Sequence, residues 1–225
     1  MRVAALVLAA GRGERLGASV PKAFLPLAGR PLVVRAIEAL AARPEVERIV
    51  PVLPAADLAR FAALGLAGDG RLAPPVAGGA ERQDSMRAGL AALPDGVDLV
   101  AVHDAARPLV RPEDVGRVIA AAARTGAALL AVPVRDTLKR ARAGRVTETL
   151  PRADCWAAQT PQVFRAALLR EALAKAEAEG FVATDDAQLV ERLGAPVEIV
   201  EGDPGNLKIT WPEDVALAEA IWRQR

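Results

Sequence analysis

Hydrophobic positions along the chain fall into two alternating kinds of segment. Short runs rich in β-branched residues or leucine, at 3–8, 48–53, 99–103, 129–134 and 197–200, read as strands. Between them, apolar residues recur three and four positions apart over 31–42, 82–93, 112–125, 165–179, 187–193 and 212–223, which predicts helices. Pro31 is expected in the first turn of its helix, and Thr210 with Glu213 reads as a capping box for the last one. Several strands are apolar at successive positions, as strands covered on both faces are. The regular alternation of strand and helix predicts α/β architecture: a single-domain, Rossmann-like three-layer sandwich, doubly wound around a mostly parallel sheet.

One segment breaks this pattern. Residues 134–164, "VRDTLKRARAGRVTETLPRADCWAAQTPQVF", are polar and basic and lack a helical period. The "RAGR" at their centre, between two threonine-bearing stretches, predicts a protruding β-hairpin arm. A lone hairpin is marginal in water, so this arm is expected to pack against something beyond its own domain.

Length and composition narrow the reading. With 225 residues, 52% of them hydrophobic, the chain can bury one large core, so residues 1–225 are expected to form one domain. A net charge of only +1 gives no global field for nucleic acid, and any anion site must be local. The apolar start "MRVAALVLAAG" is too short for a membrane span and wrongly flanked for a signal peptide, so a cytoplasmic protein is expected. Cys155 is the only cysteine and His103 the only histidine, which excludes an internal disulfide and a multi-cysteine zinc site and argues against histidine-based hydrolytic triads. At the end of an alternating strand, His103 is expected to serve packing rather than catalysis.

The candidate chemistry lies in loops that follow strands. In open α/β sheets, ligands sit beyond the carboxyl ends of the strands, and the loop after the first strand commonly holds phosphates. Here that loop opens "LAAGRGERLGASVPKAF", with Gly11 and Gly13 able to bring backbone N–H groups close to phosphate oxygens. Leu16 stands where a dinucleotide fingerprint needs glycine, and Lys22 lies between Pro21 and Ala23, unlike a P-loop lysine. In "LVAVHDAARPLV", Asp104 ends a strand with Arg107 just beyond, and a carboxylate so placed suits a Mg²⁺ ligand. "GGAERQDSM" sets Gly78 and Gly79 before a helix start that carries Arg82 and Ser85. "GDPGNLKIT" places Lys208 at a loop exit, and "ATDDAQ" places Thr184 at an expected helix cap. Dispersed cations, one strand-end carboxylate and no nucleophile paired with a base suit phosphoryl chemistry, which works by positioning and charge neutralisation.

The opening motif resembles the signature of nucleotidyltransferases that activate sugar phosphates. Together with "GGAERQDS", "VHDAARP", "PVRDTLKR", "TPQVF" and "GNLKITWPEDVALAE", the chain resembles the 2-C-methyl-D-erythritol 4-phosphate cytidylyltransferase family of the non-mevalonate isoprenoid pathway along essentially its whole length. The resemblance implies cytidylyl transfer from CTP to the polyol phosphate, with Mg²⁺ as cofactor and a homodimer joined through an exchanged arm. It implies catalytic roles for Arg15 and Lys22. Ala9, Ala10, Gly11, Gly13, Gly79, Ser85 and Lys208 would bind the nucleotide, with Asp104 at the metal. Arg107, Thr137, Arg152, Thr184 and Lys208 would surround the methylerythritol phosphate. Ala80 departs from relatives that carry an acidic residue after the glycine pair, which would leave base recognition to backbone groups. The alternatives are a cytidylyltransferase for another polyol phosphate such as ribitol 5-phosphate, a nicotinamide-dependent oxidoreductase, against which Leu16 stands, and a non-catalytic nucleotide-binding regulator.

Overall fold

A computed structural model describes residues 1–11, 20–66 and 70–225. In chain order its elements are β1 (Val3–Leu8), a short β2–β3 pair (Pro26–Leu27, Arg30–Pro31), α1 (Leu32–Ala41), β4 (Val46–Leu53), α2 (Leu58–Ala62), β5 (Val76–Ala77) and α3 (Arg82–Ala91). There follow β6 (Leu99–Asp104), α4 (Pro112–Thr125), β7 (Ala127–Pro133), β8 (Lys139–Arg142), β9 (Arg145–Thr149), β10 (Trp156–Arg165), α5 (Ala166–Ala178), α6 (Asp186–Arg192), β11 (Glu198–Glu201) and α7 (Pro212–Arg223).

Seven strands form one sheet in the order β11-β7-β10-β6-β1-β4-β5. β1 lies between β4 and β6 and runs parallel to both, and β10 runs antiparallel between β6 and β7. The alternation along β1 explains the layers. Val3, Ala5 and Val7 face one core with α1 and α4, whereas Ala4, Leu6 and Leu8 face a second core with α3, α5 and α6. Because both faces are covered, all six residues of β1 are buried, which is why the strand reads as an unbroken apolar run. α4 supplies Val115, Val118, Ile119 and Ala122 to its face, and α5 supplies Leu169, Ala172, Leu173 and Ala176 to the other, each at helical spacing. A third, small cluster of Leu27, Leu32, Leu109, Ile209 and Ala218 seats α7 against the β2 end of the molecule. Among the described residues, no helix is long and apolar enough to cross a membrane.

Three sequence expectations need correction. Pro31 caps α1 in an extended conformation (φ −55°, ψ 145°) rather than lying inside its first turn. The N-cap of α7 is Trp211, and Asp214 in the first turn reaches back to it, its Oδ2 accepting the N–H groups of Thr210 at 2.7 Å and Trp211 at 2.8 Å. With Pro212 as the first helical residue the capping phase falls one position later than Thr210 and Glu213. The polar tail of the 134–164 segment also contains a central sheet strand, β10, that its composition hides. Gln159, Thr160 and Gln162 are buried there and satisfied by side-chain hydrogen bonds, around a register shift between Ala158 and Gln162.

The hairpin is present as β8–β9, turning through Ala143 (φ 46°) and Gly144 (φ 73°), the pair of positive angles that a tight hairpin turn requires. All nine of its strand residues are exposed, Val146 among them, and it pairs with no strand of the main sheet.

Candidate functional site

Register brings the candidate loops together. Leu8, the last residue of β1, pairs with Asp104, the last of β6, so the two strands release their loops side by side. Ala9 N–H donates to Val52 O at 2.8 Å and Ala105 N–H to Leu8 O at 3.0 Å, which anchors both loop starts to the sheet. The segment ahead of α7 joins them through Ile209 N–H and Ala106 O at 2.8 Å. Between these loops and the start of α3 opens a cavity of about 590 Å³. Its walls include Ala9, Ala10, Gly11, Lys22, Gly79, Ser85, Asp104 and Lys208, and also Arg82. The volume is that of an ordinary small-molecule site.

The glycine pair before α3 is explained by close approach. A Cβ at Gly78 would stand 2.7 Å from Ser85 Oγ and 2.8 Å from Ala10 Cβ, and one at Gly79 would stand 2.3 Å from Asp84 Cβ. Without side chains, the turn lies flat on the helix start and against the first loop. The Ser85 hydroxyl is engaged inside this turn, accepting from Gly79 N–H at 3.2 Å and donating to Glu81 O at 3.3 Å.

Asp104 is the electrostatic centre of the cavity. Its Oδ1 accepts from Arg82 Nη1 and its Oδ2 meets Lys208 Nζ, each at 2.7 Å. Burial would raise this carboxyl, but the charges of Arg82 and Lys208 outweigh it and hold Asp104 well below the usual carboxylate range. Arg82 is itself gripped by Asp186, Nε to Oδ1 at 3.0 Å and Nη2 to Oδ2 at 2.7 Å. Burial lowers the Arg82 pKa, yet the two carboxylates more than offset it, so the guanidinium stays charged.

Arg107 is not part of the cavity wall. Its Nη1 donates to Asn206 O at 2.8 Å and its Nη2 to Ala158 O at 3.2 Å, while its buried Nε has no partner. Thr184 is exposed, and its N–H and hydroxyl both donate to Gln188 Oε1. The cap of α6 is Asp185, which accepts from Gln188 N–H, one position after the expected Thr184. Thr137 and Arg152 are exposed at the base of the hairpin, where Arg152 Nη1 donates to Arg135 O at 2.7 Å, and neither lines the cavity. Gly13 and Arg15 lie outside the described residues.

The residues that organise the site and were not assigned roles in advance are Asp186, Asn206 and Thr160. Each sat in a motif already visible: the acid pair of "ATDDAQ", the asparagine of "GNLKIT" and the threonine of "TPQVF". Their signal was polarity inside segments that fold into the interior, where a polar side chain must have partners.

A family model described as 2-C-methyl-D-erythritol 4-phosphate cytidylyltransferase matches residues 3–224. A protein of that name from Pelotomaculum thermopropionicum is 46% identical over 227 residues, covering 100% of this chain and 95% of its own. Among solved structures, the 4-diphosphocytidyl-2C-methyl-D-erythritol synthase of Anaerococcus prevotii superposes with a TM-score of 0.88 at 30% identity, over 100% of this chain and 96% of that one. The 2-C-methyl-D-erythritol 4-phosphate cytidylyltransferase of Thermus thermophilus is 40% identical with a TM-score of 0.79, over 99% of this chain and 100% of that one.

Proposed function

Because the chain belongs to the 2-C-methyl-D-erythritol 4-phosphate cytidylyltransferase family, we propose that it transfers a cytidylyl group from CTP to methylerythritol phosphate in the cytoplasm. The observation that carries this reading is the match over nearly the whole chain, together with a cavity whose described walls hold the cations Lys22, Arg82 and Lys208 and the carboxylates Glu81 and Asp104. Three cations against two carboxylates leave the described walls with a positive excess, which suits a polyanionic ligand.

In the reaction, an oxygen of the substrate phosphate attacks the α-phosphorus of CTP. The bond from that phosphorus to the bridging oxygen breaks, and pyrophosphate leaves with the electron pair. A phosphate monoester has a second pKa of about 6, so the attacking group is already a dianion at neutral pH and needs no general base. What the protein must supply is relief of repulsion between two anions and stabilisation of charge at the α-phosphorus. Lys22 and Arg15 do this, with Lys208 on the triphosphate or the substrate phosphate. Ala9, Ala10, Gly11, Gly13, Gly79 and Ser85 hold the nucleotide, and with Ala80 offering no polar side chain the base is read through backbone groups of the 78–81 turn.

The donor set also fits a magnesium ion borne mainly by the CTP phosphates, since Mg²⁺ takes one or two protein carboxylates and Asp104 is ionised at the cavity wall. Asp104 would hold it, and the ion would supply further charge neutralisation at the triphosphate.

Arg107 and Thr184 serve the substrate end. Thr137 and Arg152 flank a hairpin that, among the described residues, pairs with no strand of the main sheet, which supports an arm exchanged within a homodimer. In that arrangement each arm carries its Thr137 and Arg152 to the partner's site. Pyrophosphate release by the purified protein, with CTP and either methylerythritol phosphate or ribitol 5-phosphate, tests the assignment. Release with the first and not the second is expected, and the reverse overturns it.

A further inference from the structure

His103 is the only histidine of the chain and is fully buried at the end of β6, next to Asp104. Both of its ring nitrogens are engaged. Nε2 lies 3.1 Å from Arg107 O, and Nδ1 lies 2.9 Å from Thr160 Oγ1. That same hydroxyl oxygen accepts the backbone N–H of Asp104 at 3.0 Å.

The direction of every bond follows from chemistry. A carbonyl oxygen can only accept, so Nε2 carries the ring proton. A neutral ring then has a bare Nδ1, and the one hydroxyl proton of Thr160 points to it. The lone pairs of Thr160 Oγ1 remain for Asp104 N–H. A second path closes the loop, because Arg107 N–H donates to Asp104 O at 3.0 Å. The 104–107 turn is therefore held from both sides. Asn206 braces the same unit, its side-chain Nδ2 donating to Thr160 O at 3.0 Å and its backbone carbonyl accepting from Arg107 Nη1 at 2.8 Å.

We propose that His103 is a positioning residue: fixed as the neutral Nε2–H tautomer, it clamps the 104–107 turn between Thr160 and the Arg107 carbonyl, and so fixes where the Asp104 carboxylate stands in the cavity wall and where the Arg107 side chain stands beside it. This extends the packing role expected from sequence and rests on the cytidylyltransferase reading for the meaning of Arg107. A histidine that merely filled space would be replaceable by an apolar ring without consequence for substrate use.

With one histidine in the chain, the ¹⁵N spectrum of protein labelled only at histidine contains a single imidazole and needs no assignment. The expected spectrum has a protonated Nε2 and an unprotonated, hydrogen-bonded Nδ1. An Nδ1–H tautomer, or rapid exchange between the two, overturns the proposal. Thr160→Val keeps the side-chain shape and removes the hydroxyl, so the Nδ1 resonance should move. In the same variant kcat/KM for methylerythritol phosphate should fall about tenfold to a hundredfold, the scale set by small misplacements of a binding group, while KM for CTP stays within about twofold. His103→Gln retains a donor near the Nε2 position and should recover more activity than His103→Phe.

A readout independent of turnover separates this proposal from the functional reading. The Arg107 Nε–H resonance, identified by its loss in Arg107→Lys, should broaden or shift in Thr160→Val. If wild-type protein turned over no methylerythritol phosphate, the functional reading would fail while the tautomer and the Arg107 resonance still decided the positioning. Unchanged Arg107 resonance together with unchanged kcat/KM in folded Thr160→Val would refute it.

Discussion

The Arg82 guanidinium lies along both oxygens of the Asp186 carboxylate, with Nε 3.0 Å from Oδ1 and Nη2 2.7 Å from Oδ2. This fork leaves Nη1 to reach Asp104 at 2.7 Å, so the first residue of α6 fixes the direction of a cation in the cavity wall.

Asp186→Asn should accordingly destabilise the protein by about 3 kcal/mol, as breaking a buried ion pair does. It should also lower kcat, because Arg82 and Asp104 lose their fixed orientation. Urea unfolding and steady-state rates measured on the same preparation test this. A stability loss under about 1 kcal/mol with full activity would show that the fork is dispensable.

Lys22→Ala should lose turnover far more than CTP affinity, since a charge directed at the α-phosphorus acts mainly in the transition state. Removing one such group costs about a hundredfold to a thousandfold in kcat. Single-turnover rates and CTP dissociation constants should be compared, and a variant weak only in CTP binding contradicts the role given to Lys22.

Acid should destabilise the protein through His103. Burial is the main cause that pushes its pKa down to about 4, with the Asp104 charge and the hydrogen bond to the Arg107 carbonyl pulling the other way and the Arg107 charge adding a smaller decrease. The unfolded ring takes its proton near the ordinary 6.5 and the folded ring only near 4. Stability associated with the neutral ring is thus complete above about pH 6.5 and falls as pH drops toward 4, by about 3 kcal/mol in total. Because carboxyl groups also titrate toward the lower end, the useful quantity is the difference in urea stability between wild type and His103→Phe across pH 7 to 4. It should narrow steadily, and parallel curves over that range rule out a neutral buried histidine.

Mixing inactive Lys22→Ala with inactive Arg152→Ala subunits tests the exchanged arm. If Arg152 serves the partner's site while Lys22 stays in its own, each mixed dimer regains one intact site, about a quarter of all sites after random exchange. Background activity, with subunit exchange confirmed by mass, would instead leave the hairpin as a clasp.

Much of this was legible in the chain, for identifiable reasons. β1 and β6 are buried on both faces, so their apolar runs announced them, and the proline and glycine punctuation of α4 placed both of its ends. The strand-end position of Asp104 and the glycine pair before α3 pointed to the cavity. β10 was hidden because its middle is polar and contains Pro161, features that mark an edge or a loop unless buried partners absorb them. Those partners, Asp185 for Gln162 and Asp203 and Asn206 for Gln159, lie 23 to 47 residues away in sequence, and no local pattern encodes them. The fork between Arg82 and Asp186 spans 104 positions and was invisible for the same reason. The partial overlap at Thr184, Asp185 and Asp186 shows the limit: a polar cluster signalled a helix start, and only the fold assigned one acid to the cap and the other to the site.

The most direct measurement is a ³¹P NMR time course of CTP and methylerythritol phosphate with the purified protein and Mg²⁺. The phosphomonoester resonance of the alcohol and the three resonances of CTP should decline together. In their place a coupled pair from a diphosphate diester and the signal of free pyrophosphate should grow in equal amounts. Consumption of CTP without the alcohol, or a phosphomonoester signal that persists while CTP is consumed, would contradict cytidylyl transfer.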